Sequence, residues 1–137
     1  MNSQTLRSPI KSLDPTSPIC VEYDTPVGDV IKIMKDNRFG CVFVVRKKKL
    51  VGVFTERDIL YKIVGGGYDT PETLMEDVMT HHPEYLFDDD QIAFALNRMQ
   101  VGGFRHIPLL GMNGTPVGII SVRDILAFLN DNLFETN

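Results

Sequence analysis

The most constraining feature of this 137-residue sequence is an internal repeat that runs through nearly the whole chain. The segment GVFTERDIL, residues 52–60, returns 66 positions later as GIISVRDIL, residues 118–126. Upstream of these segments the offset is 65, so that Met34 matches Met99. One extra residue in the loop before the second copy accounts for the change. The chain therefore divides into two similar halves.

Each half shows the same order of predicted elements: a short strand, an amphipathic helix, two strands joined by a polar turn, and a closing helix. The opening strands are predicted at residues 19–23 and 85–87. The closing helices are expected to start near Arg57 and Arg123, and glycines 65–67 should stop the first of them. The amphipathic helices carry apolar residues at i, i+3, i+4 and i+7, which are Val27, Val30, Ile31 and Met34 in one half and Ile92, Ala95, Leu96 and Met99 in the other.

This order predicts an α/β (α+β) fold made of two β-α-β-β-α repeats related by a pseudo-two-fold axis. We place the repeats at residues 10–70 and 71–129, with terminal tails at 1–9 and 130–137. A unit of about 60 residues is marginally stable alone, so the two repeats are expected to pack together. A functional site would then lie in the cleft between them.

The composition argues against several classes of protein. With 14 basic and 18 acidic residues the formal net charge is −4, and no basic arm is present, so a nucleic-acid partner is not expected. No segment has the length and apolar character of a signal peptide or a membrane span, which predicts a cytoplasmic protein without membrane contact. The two cysteines, Cys20 and Cys41, have no metal-ligand spacing and are expected to be small core residues, and no metal site is predicted.

The repeated closing segment Gly-h-h-[Thr/Ser]-x-x-Asp, where h is apolar, resembles the end of a cystathionine-β-synthase (CBS) domain. The leader LMEDVMTHHP, residues 74–83, is similar to the entry segment of such a domain, and IKSLDPTSP, residues 10–18, is a degenerate copy. The resemblance covers residues 10–128 and implies a CBS-domain pair, or Bateman module. It implies a non-catalytic regulatory sensor that binds AMP, ADP, ATP or a related adenosyl compound between the repeats and passes its state to a partner protein.

The resemblance also implies roles for individual residues. In the family the closing acid holds ribose hydroxyls with help from the hydroxyl residue three positions earlier, and nearby basic residues face the phosphates. On this sequence the ribose residues are Thr55 and Asp58 in the first repeat and Ser121 and Asp124 in the second. The phosphate residues are Arg57, Arg105, His106 and Arg123.

The first repeat departs from this pattern, because Gly40 and Cys41 stand where the second has Arg105 and His106. We therefore predict that the second site binds phosphorylated ligands more tightly. The local spacing also has a purely structural interpretation. A hydroxyl residue followed three positions later by an acid, at the start of an apolar helix, forms a capping box. The two interpretations are compatible, since a side chain can cap a helix in the empty state and bind when ligand arrives.

Two alternatives to the nucleotide sensor stay open, while no arrangement of residues suggests catalysis. One is a ligand-free structural dimerisation module, and the other is an ion or redox sensor that works through the cysteines. A homodimer is expected, because the closing helices carry apolar residues beyond what each repeat can cover. Those residues are Ile59, Leu60, Ile63, Ile125, Leu126, Phe128 and Leu129.

Overall fold

The structure is a computed structural model that describes residues 3–67 and 71–132, with side chains described from residue 5 onward. The boundary predicted at residue 70 and the tail beyond residue 132 lie outside the described residues. In chain order the helices and strands are α1 Ser3–Arg7, β1 Cys20–Glu22, α2 Val27–Asn37, β2 Cys41–Arg46, β3 Lys49–Thr55, α3 Glu56–Asp58, α4 Met75–Val78, β4 Thr80–His81, α5 Ile92–Gly102, β5 His106–Leu110, β6 Pro116–Ser121 and α6 Val122–Asn132. Two 3₁₀ turns, Ile10–Leu13 and Met112–Gly114, and a π-helical turn, Ile59–Val64, complete the list.

The chain folds into two compact units. The first-repeat unit consists of Pro18–Pro83 and Asn113–Pro116, and the second-repeat unit consists of Met1–Ser17, Glu84–Met112 and Val117–Asn137. Each unit has its own apolar core, as expected for repeats that each form a β-α-β-β-α layer. The predicted fold class is confirmed.

A four-stranded sheet in the order β1-β2-β3-β4 forms one layer of the first-repeat unit. Strand β1 runs parallel to β2, and β2, β3 and β4 are antiparallel neighbours. The predicted hairpin is β2–β3, and its turn consists of the exposed Lys47 and Lys48, with Lys49 as the first residue of β3. Helix α2 covers the sheet through Val27, Val30 and Met34, all of which are buried in the core. The apolar periodicity of this helix therefore predicted its buried face correctly.

The second-repeat unit repeats this plan with less regular pairing. Its sheet consists of the predicted hairpin β5–β6. A single parallel bridge between Leu86 and Leu109 takes the place of the opening strand. Helix α5 buries Ile92, Ala95 and Met99. The predicted strand 85–87 is thus reduced to one bridged residue.

The leader segments cross between the two repeats. Residues 74–83, the leader of the second repeat, supply α4 and β4 to the first-repeat unit, where Thr80 pairs with Val53. In the same way residues 10–17 belong to the second-repeat unit, where Thr16 bridges Ile119. Each compact unit therefore combines more than one stretch of the chain. The repeat boundaries at residues 10–70 and 71–129 describe the two sequence repeats, not the compact units, and they stay a prediction.

The closing helices start where the sequence predicted, at Glu56 and Val122. In the first-repeat unit the helix passes from α3 into the π-helical turn and ends at Val64, with Gly65 as its C-cap, so the predicted glycine stop is confirmed. In the second-repeat unit α6 is α-helical over all its described residues. Two residues expected on the dimer surface, Ile63 and Ile125, are buried in the cores instead, because each lies on the face that its helix turns toward its own sheet.

Candidate functional site

The first-repeat site is built where β3 ends and α3 begins. Thr55 has the extended conformation of an N-cap residue, and its backbone N–H donates to Asp58 Oδ2 over 2.9 Å. In return the backbone N–H of Asp58 donates to Thr55 Oγ1 over 3.4 Å. The Thr55 hydroxyl also lies 3.3 Å from Asp58 Oδ2. This is a capping box, which satisfies two helix-end donors with two side chains.

The second-repeat site has the same construction at the junction of β6 and α6. The backbone N–H of Ser121 donates to Asp124 Oδ2 over 2.7 Å, and the backbone N–H of Asp124 donates to Ser121 Oγ over 3.2 Å. The structural interpretation of both Thr/Ser-x-x-Asp segments as helix caps is therefore confirmed. A ligand role for the same four residues stays a prediction. In each acid the box uses Oδ2, and Oδ1 takes no part in its hydrogen bonds.

A backbone hydrogen bond ties each box to the start of the core strand. The N–H of Glu56 donates to the carbonyl of Gly40 over 3.1 Å, and the N–H of Val122 donates to the carbonyl of Arg105 over 3.0 Å. These bonds place Arg105 beside the second box and the uncharged Gly40 beside the first. A Cβ atom on Gly40 would lie 3.4 Å from Glu56 Oε1, which is an ordinary contact distance, so the space at this position does not itself require glycine.

The predicted phosphate residues lie at the edges of the two boxes. Arg57, Arg105 and Arg123 are exposed, and none of the three forms an ion pair with any residue that the structure describes. His106 is the first residue of β5 and is partly buried. The second-repeat unit thus combines two arginines and a histidine near its box, whereas the first-repeat unit has Arg57.

Lys62 distinguishes the first-repeat site from the second, and the sequence analysis did not single it out. Its Nζ lies 3.1 Å from Asp58 Oδ1, and the side chains are 34% and 12% exposed, respectively. The same ammonium donates to the carbonyl of Val78 over 2.6 Å. The position 66 residues later is Phe128, which packs against the core of its own unit. Within the described part of the chain, Asp124 forms no ion pair.

The sequence contained a signal for Lys62. A lysine four residues after an acid on a helix is a common ion pair. Because the aligned residue in the other repeat is apolar, the pair also breaks the internal symmetry.

The cysteines differ from each other in burial. Cys41 is buried in β2, and burial, together with the charge of Asp58, raises the pKa of its thiol to about 12. Cys20 is exposed in β1, so the prediction that both cysteines are core residues is wrong for Cys20. Partial desolvation, followed by the charge of Glu22, raises the pKa of the Cys20 thiol as well.

A raised pKa lowers the thiolate fraction at a given pH, and the thiolate is the reactive form. At pH 8 a group with a pKa of about 12 is ionised in about one molecule in ten thousand. We therefore expect a thiol reagent at pH 8 to modify Cys20 in the native protein and to reach Cys41 only after unfolding. Mass spectrometry of peptides after timed alkylation measures this. Equal labelling of both cysteines in native protein would favour the redox-sensor hypothesis.

The described residues contain no group of three or more metal-ligating side chains. They also contain no helix long and apolar enough to cross a bilayer. His81 points one ring nitrogen at the carbonyl of Glu76, 3.0 Å away, which is a local backbone contact.

Comparison with known proteins identifies the family. The CBS domain family model matches residues 10–65 and 75–131. The chain therefore belongs to the CBS-domain family and contains two CBS domains, as the sequence resemblance predicted.

A relative from Arabidopsis thaliana, CBS domain-containing protein CBSCBSPB1, is 36% identical over 109 residues. The match covers 80% of this chain and 20% of that protein, so the chain spans about a fifth of the relative's length.

Two solved structures share the fold. The CBS domain pair of protein MJ0100, in complex with 5′-methylthioadenosine and S-adenosyl-L-methionine, has a TM-score of 0.81 at 19% identity, covering 91% of this chain and 98% of that one. CBS domain protein PAE2072 from Pyrobaculum aerophilum, complexed with AMP, has a TM-score of 0.76 at 23% identity, covering 90% of this chain and 98% of that one. At these identities the likeness shows the fold.

Proposed function

We propose that this chain is a non-catalytic regulatory module that binds an adenine nucleotide, AMP, ADP or ATP, at the two capping-box sites. The observation that carries the proposal is the repeated arrangement of Asp58 and Asp124. In both boxes one carboxylate oxygen, Oδ2, accepts the N-cap N–H, and Oδ1 takes no part in the hydrogen bonds of the box. A carboxylate accepts hydrogen bonds through both oxygens, so it can hold a helix start and a ribose hydroxyl together.

Each predicted residue has a separate task in this proposal. Asp58 and Asp124 accept hydrogen bonds from the ribose hydroxyls of their own ligands, with Thr55 and Ser121 beside them. Phosphate oxygens are strong acceptors, and charge-assisted bonds from arginine are among the strongest that a protein can form with them. The phosphate residues are Arg57, Arg105, His106 and Arg123, three of them exposed side chains next to the boxes.

The ligands of the two solved structures support an adenosyl compound. AMP, 5′-methylthioadenosine and S-adenosyl-L-methionine share an adenine and a ribose and differ at the 5′ position. A ribose-binding acid serves all three, whereas only AMP needs a cation for a phosphate. The presence of arginines beside the second-repeat box favours a phosphorylated ligand for this chain.

Regulation is proposed to pass through a homodimer formed by the closing helices. Leu60, Tyr61 and Val64 in the first-repeat unit and Leu126 in the second are apolar and more than half exposed. Because a ligand shifts an equilibrium only by its difference in affinity for the two shapes, the sites must change with the dimer arrangement. An unidentified effector protein would respond to that arrangement. We propose a cytoplasmic location for the module.

We expect adenine nucleotides to raise the melting temperature of ligand-free protein. A ligand at a hundredfold excess over its Kd stabilises the folded state by about 2.7 kcal/mol, which corresponds to several degrees for a chain of this size. Asp58→Ala and Asp124→Ala should each remove the contribution of its own site. Loss of the cap itself costs only about 1 kcal/mol, so both variants stay folded. Differential scanning calorimetry with AMP, ADP and ATP measures the shift.

The alternative proposal, a ligand-free structural dimerisation module, makes the opposite prediction for the same samples. It gives melting curves that do not respond to any of the three nucleotides, while the cap contributions of Asp58 and Asp124 to stability persist. That result would replace the nucleotide-sensor proposal.

A further inference from the structure

The ammonium of Lys62 occupies the oxygen of Asp58 that the proposed function assigns to the ligand. Asp58 Oδ2 accepts from Thr55, and Oδ1 pairs with Lys62 Nζ at 3.1 Å. Lys62 is held in this position by its second bond, to the carbonyl of Val78. The carboxylate is therefore engaged at both oxygens before any ligand arrives. In the second-repeat unit Phe128 takes the aligned position and provides no donor.

We propose that Lys62 is an internal competitor for the ligand of the Asp58 site and sets the affinity of that site. The proposal rests on the proposed function, because it concerns the same acid. A ribose that hydrogen-bonds to Oδ1 has to displace the ammonium or share the oxygen with it. Displacement breaks a partly buried ion pair, and resolvation of the ammonium returns only part of the free energy lost, so the affinity is lowered. Lys62 is thus a specificity-determining residue that makes the two sites unequal.

The second bond of Lys62 connects the site to the crossing leader. Val78 is the last residue of α4, and carbonyls at a helix end lack partners within the helix. Lys62 supplies such a partner across 16 residues of sequence. Lys62 therefore joins the Asp58 site to the leader of the second repeat, and a ligand that draws the ammonium away from both acceptors also removes this contact.

The opposite role for Lys62, a direct phosphate contact, gives the opposite result in one measurement. A competitor lowers the affinity for every ligand that uses Asp58, including adenosine, which has no phosphate. A phosphate contact raises the affinity for AMP and leaves adenosine unaffected. Comparing adenosine with AMP therefore separates the two roles.

The test uses the Asp124→Ala protein, so that binding at Asp58 is measured alone. Isothermal titration with adenosine and with AMP compares this protein with versions that also carry Lys62→Met, or Lys62→Gln should the first be poorly folded. We expect both ligands to bind about three- to tenfold more tightly when Lys62 is replaced, as for loss of one partly exposed charged hydrogen bond. Lys35→Met, which removes an exposed lysine on α2, is the control for net charge.

Salt provides a readout that a merely structural lysine would not change. Screening weakens the Lys62–Asp58 pair between about 0.05 M and 0.5 M ionic strength, where the Debye length falls from more than 10 Å to less than 5 Å. Adenosine is uncharged, so its affinity for the Asp58 site should rise with salt when Lys62 is present and stay constant in Lys62→Met.

An unchanged or weaker adenosine affinity in Lys62→Met overturns the competitor role. If neither site of the wild-type protein nor any variant binds adenosine or AMP, the proposed function fails together with it.

Discussion

Calorimetric titration of the wild-type protein with AMP is expected to show two unequal binding events, and Asp124→Ala is expected to remove the tighter one. The second-repeat site combines the acid with Arg105, His106 and Arg123. The first-repeat site has Arg57 beside the uncharged Gly40 and Cys41. Charge-assisted hydrogen bonds contribute on the order of 1.5–3 kcal/mol each, and about 1.4 kcal/mol is a factor of ten in Kd. We therefore expect the affinities to differ at least tenfold.

The ion pairing and the burial of Asp58 and Asp124 also favour tighter binding at the second-repeat site. Lys62 already neutralises Asp58, while Asp124 forms no ion pair within the described part of the chain. Asp124 is also less buried than Asp58, so it is more accessible to a ligand. The larger number of basic residues and the acid that forms no ion pair among the described residues both favour the second-repeat site. A change in only one of these two features should therefore not make the affinities of the two sites equal.

Two further variants make this prediction specific. Asp131→Ala removes an exposed acid from the same helix, α6, and should leave both binding events in place. Arg105→Ala should weaken the tighter event tenfold or more. The prediction is contradicted if Asp58→Ala removes the tighter event while Asp124→Ala leaves it intact. It is also contradicted if Arg105→Ala weakens neither event. If Arg105→Ala weakens only the event that depends on Asp58, Arg105 contacts the ligand of the first-repeat site instead.

Local patterns in the sequence were sufficient to predict the site boxes and the helix faces. Thr55-x-x-Asp58 and Ser121-x-x-Asp124 form their hydrogen bonds within four residues, so spacing alone specifies them. The buried faces of α2 and α5 follow from a 3.6-residue period in the same way. The repeat itself specified the order of elements, because each half confirms the assignment of the other.

Features that depend on long-range contacts were missed. The pairing of Thr80 with Val53, and of Thr16 with Ile119, joins segments far apart in sequence, and no local period reports it. The contact from Lys62 to Val78 is of the same kind. The pairing of Lys62 with Asp58 was visible as an i, i+4 pattern. The role of this pair could not be predicted, because it depends on which carboxylate oxygen of Asp58 the capping box uses.

Cys20 was misassigned for a reason that concerns strand geometry. Cys20 was expected in the core because it stands in an apolar, strand-like run, yet β1 lies at the edge of its sheet. Side chains alternate between the two faces of a strand, and in β1 only Val21 is buried, with Cys20 and Glu22 exposed. Glu22 is the residue that indicates the alternation, because a charged side chain two positions from Cys20 places both on the solvent face.

Each repeated closing segment begins with a glycine, and at Gly52 long-range contacts explain why. Gly52→Ala is expected to lower the free energy of unfolding by about 1–3 kcal/mol. Gly52 lies in β3 directly opposite His81 of β4, the strand that the crossing leader supplies. A Cβ atom there would overlap Met79 Sδ, lie 2.7 Å from Met79 Cγ and approach the Thr80 carbonyl oxygen to 3.0 Å. Met79 is buried and the carbonyl is backbone, so neither group moves away freely.

Two other glycines supply the matched controls for this prediction. Gly118 is the counterpart in the second-repeat unit, where a Cβ would lie 3.3 Å from Pro15 Cβ, so Gly118→Ala should cost less than Gly52→Ala. Gly28 in α2 has nothing within 4 Å of the added atom, and Gly28→Ala should stabilise the helix by up to about 1 kcal/mol. Urea denaturation of the three variants measures the order, with an unchanged m-value showing that the folded state is retained. If Gly52→Ala is as stable as the wild-type protein, the leader does not pack on β3 as closely as this structure has it.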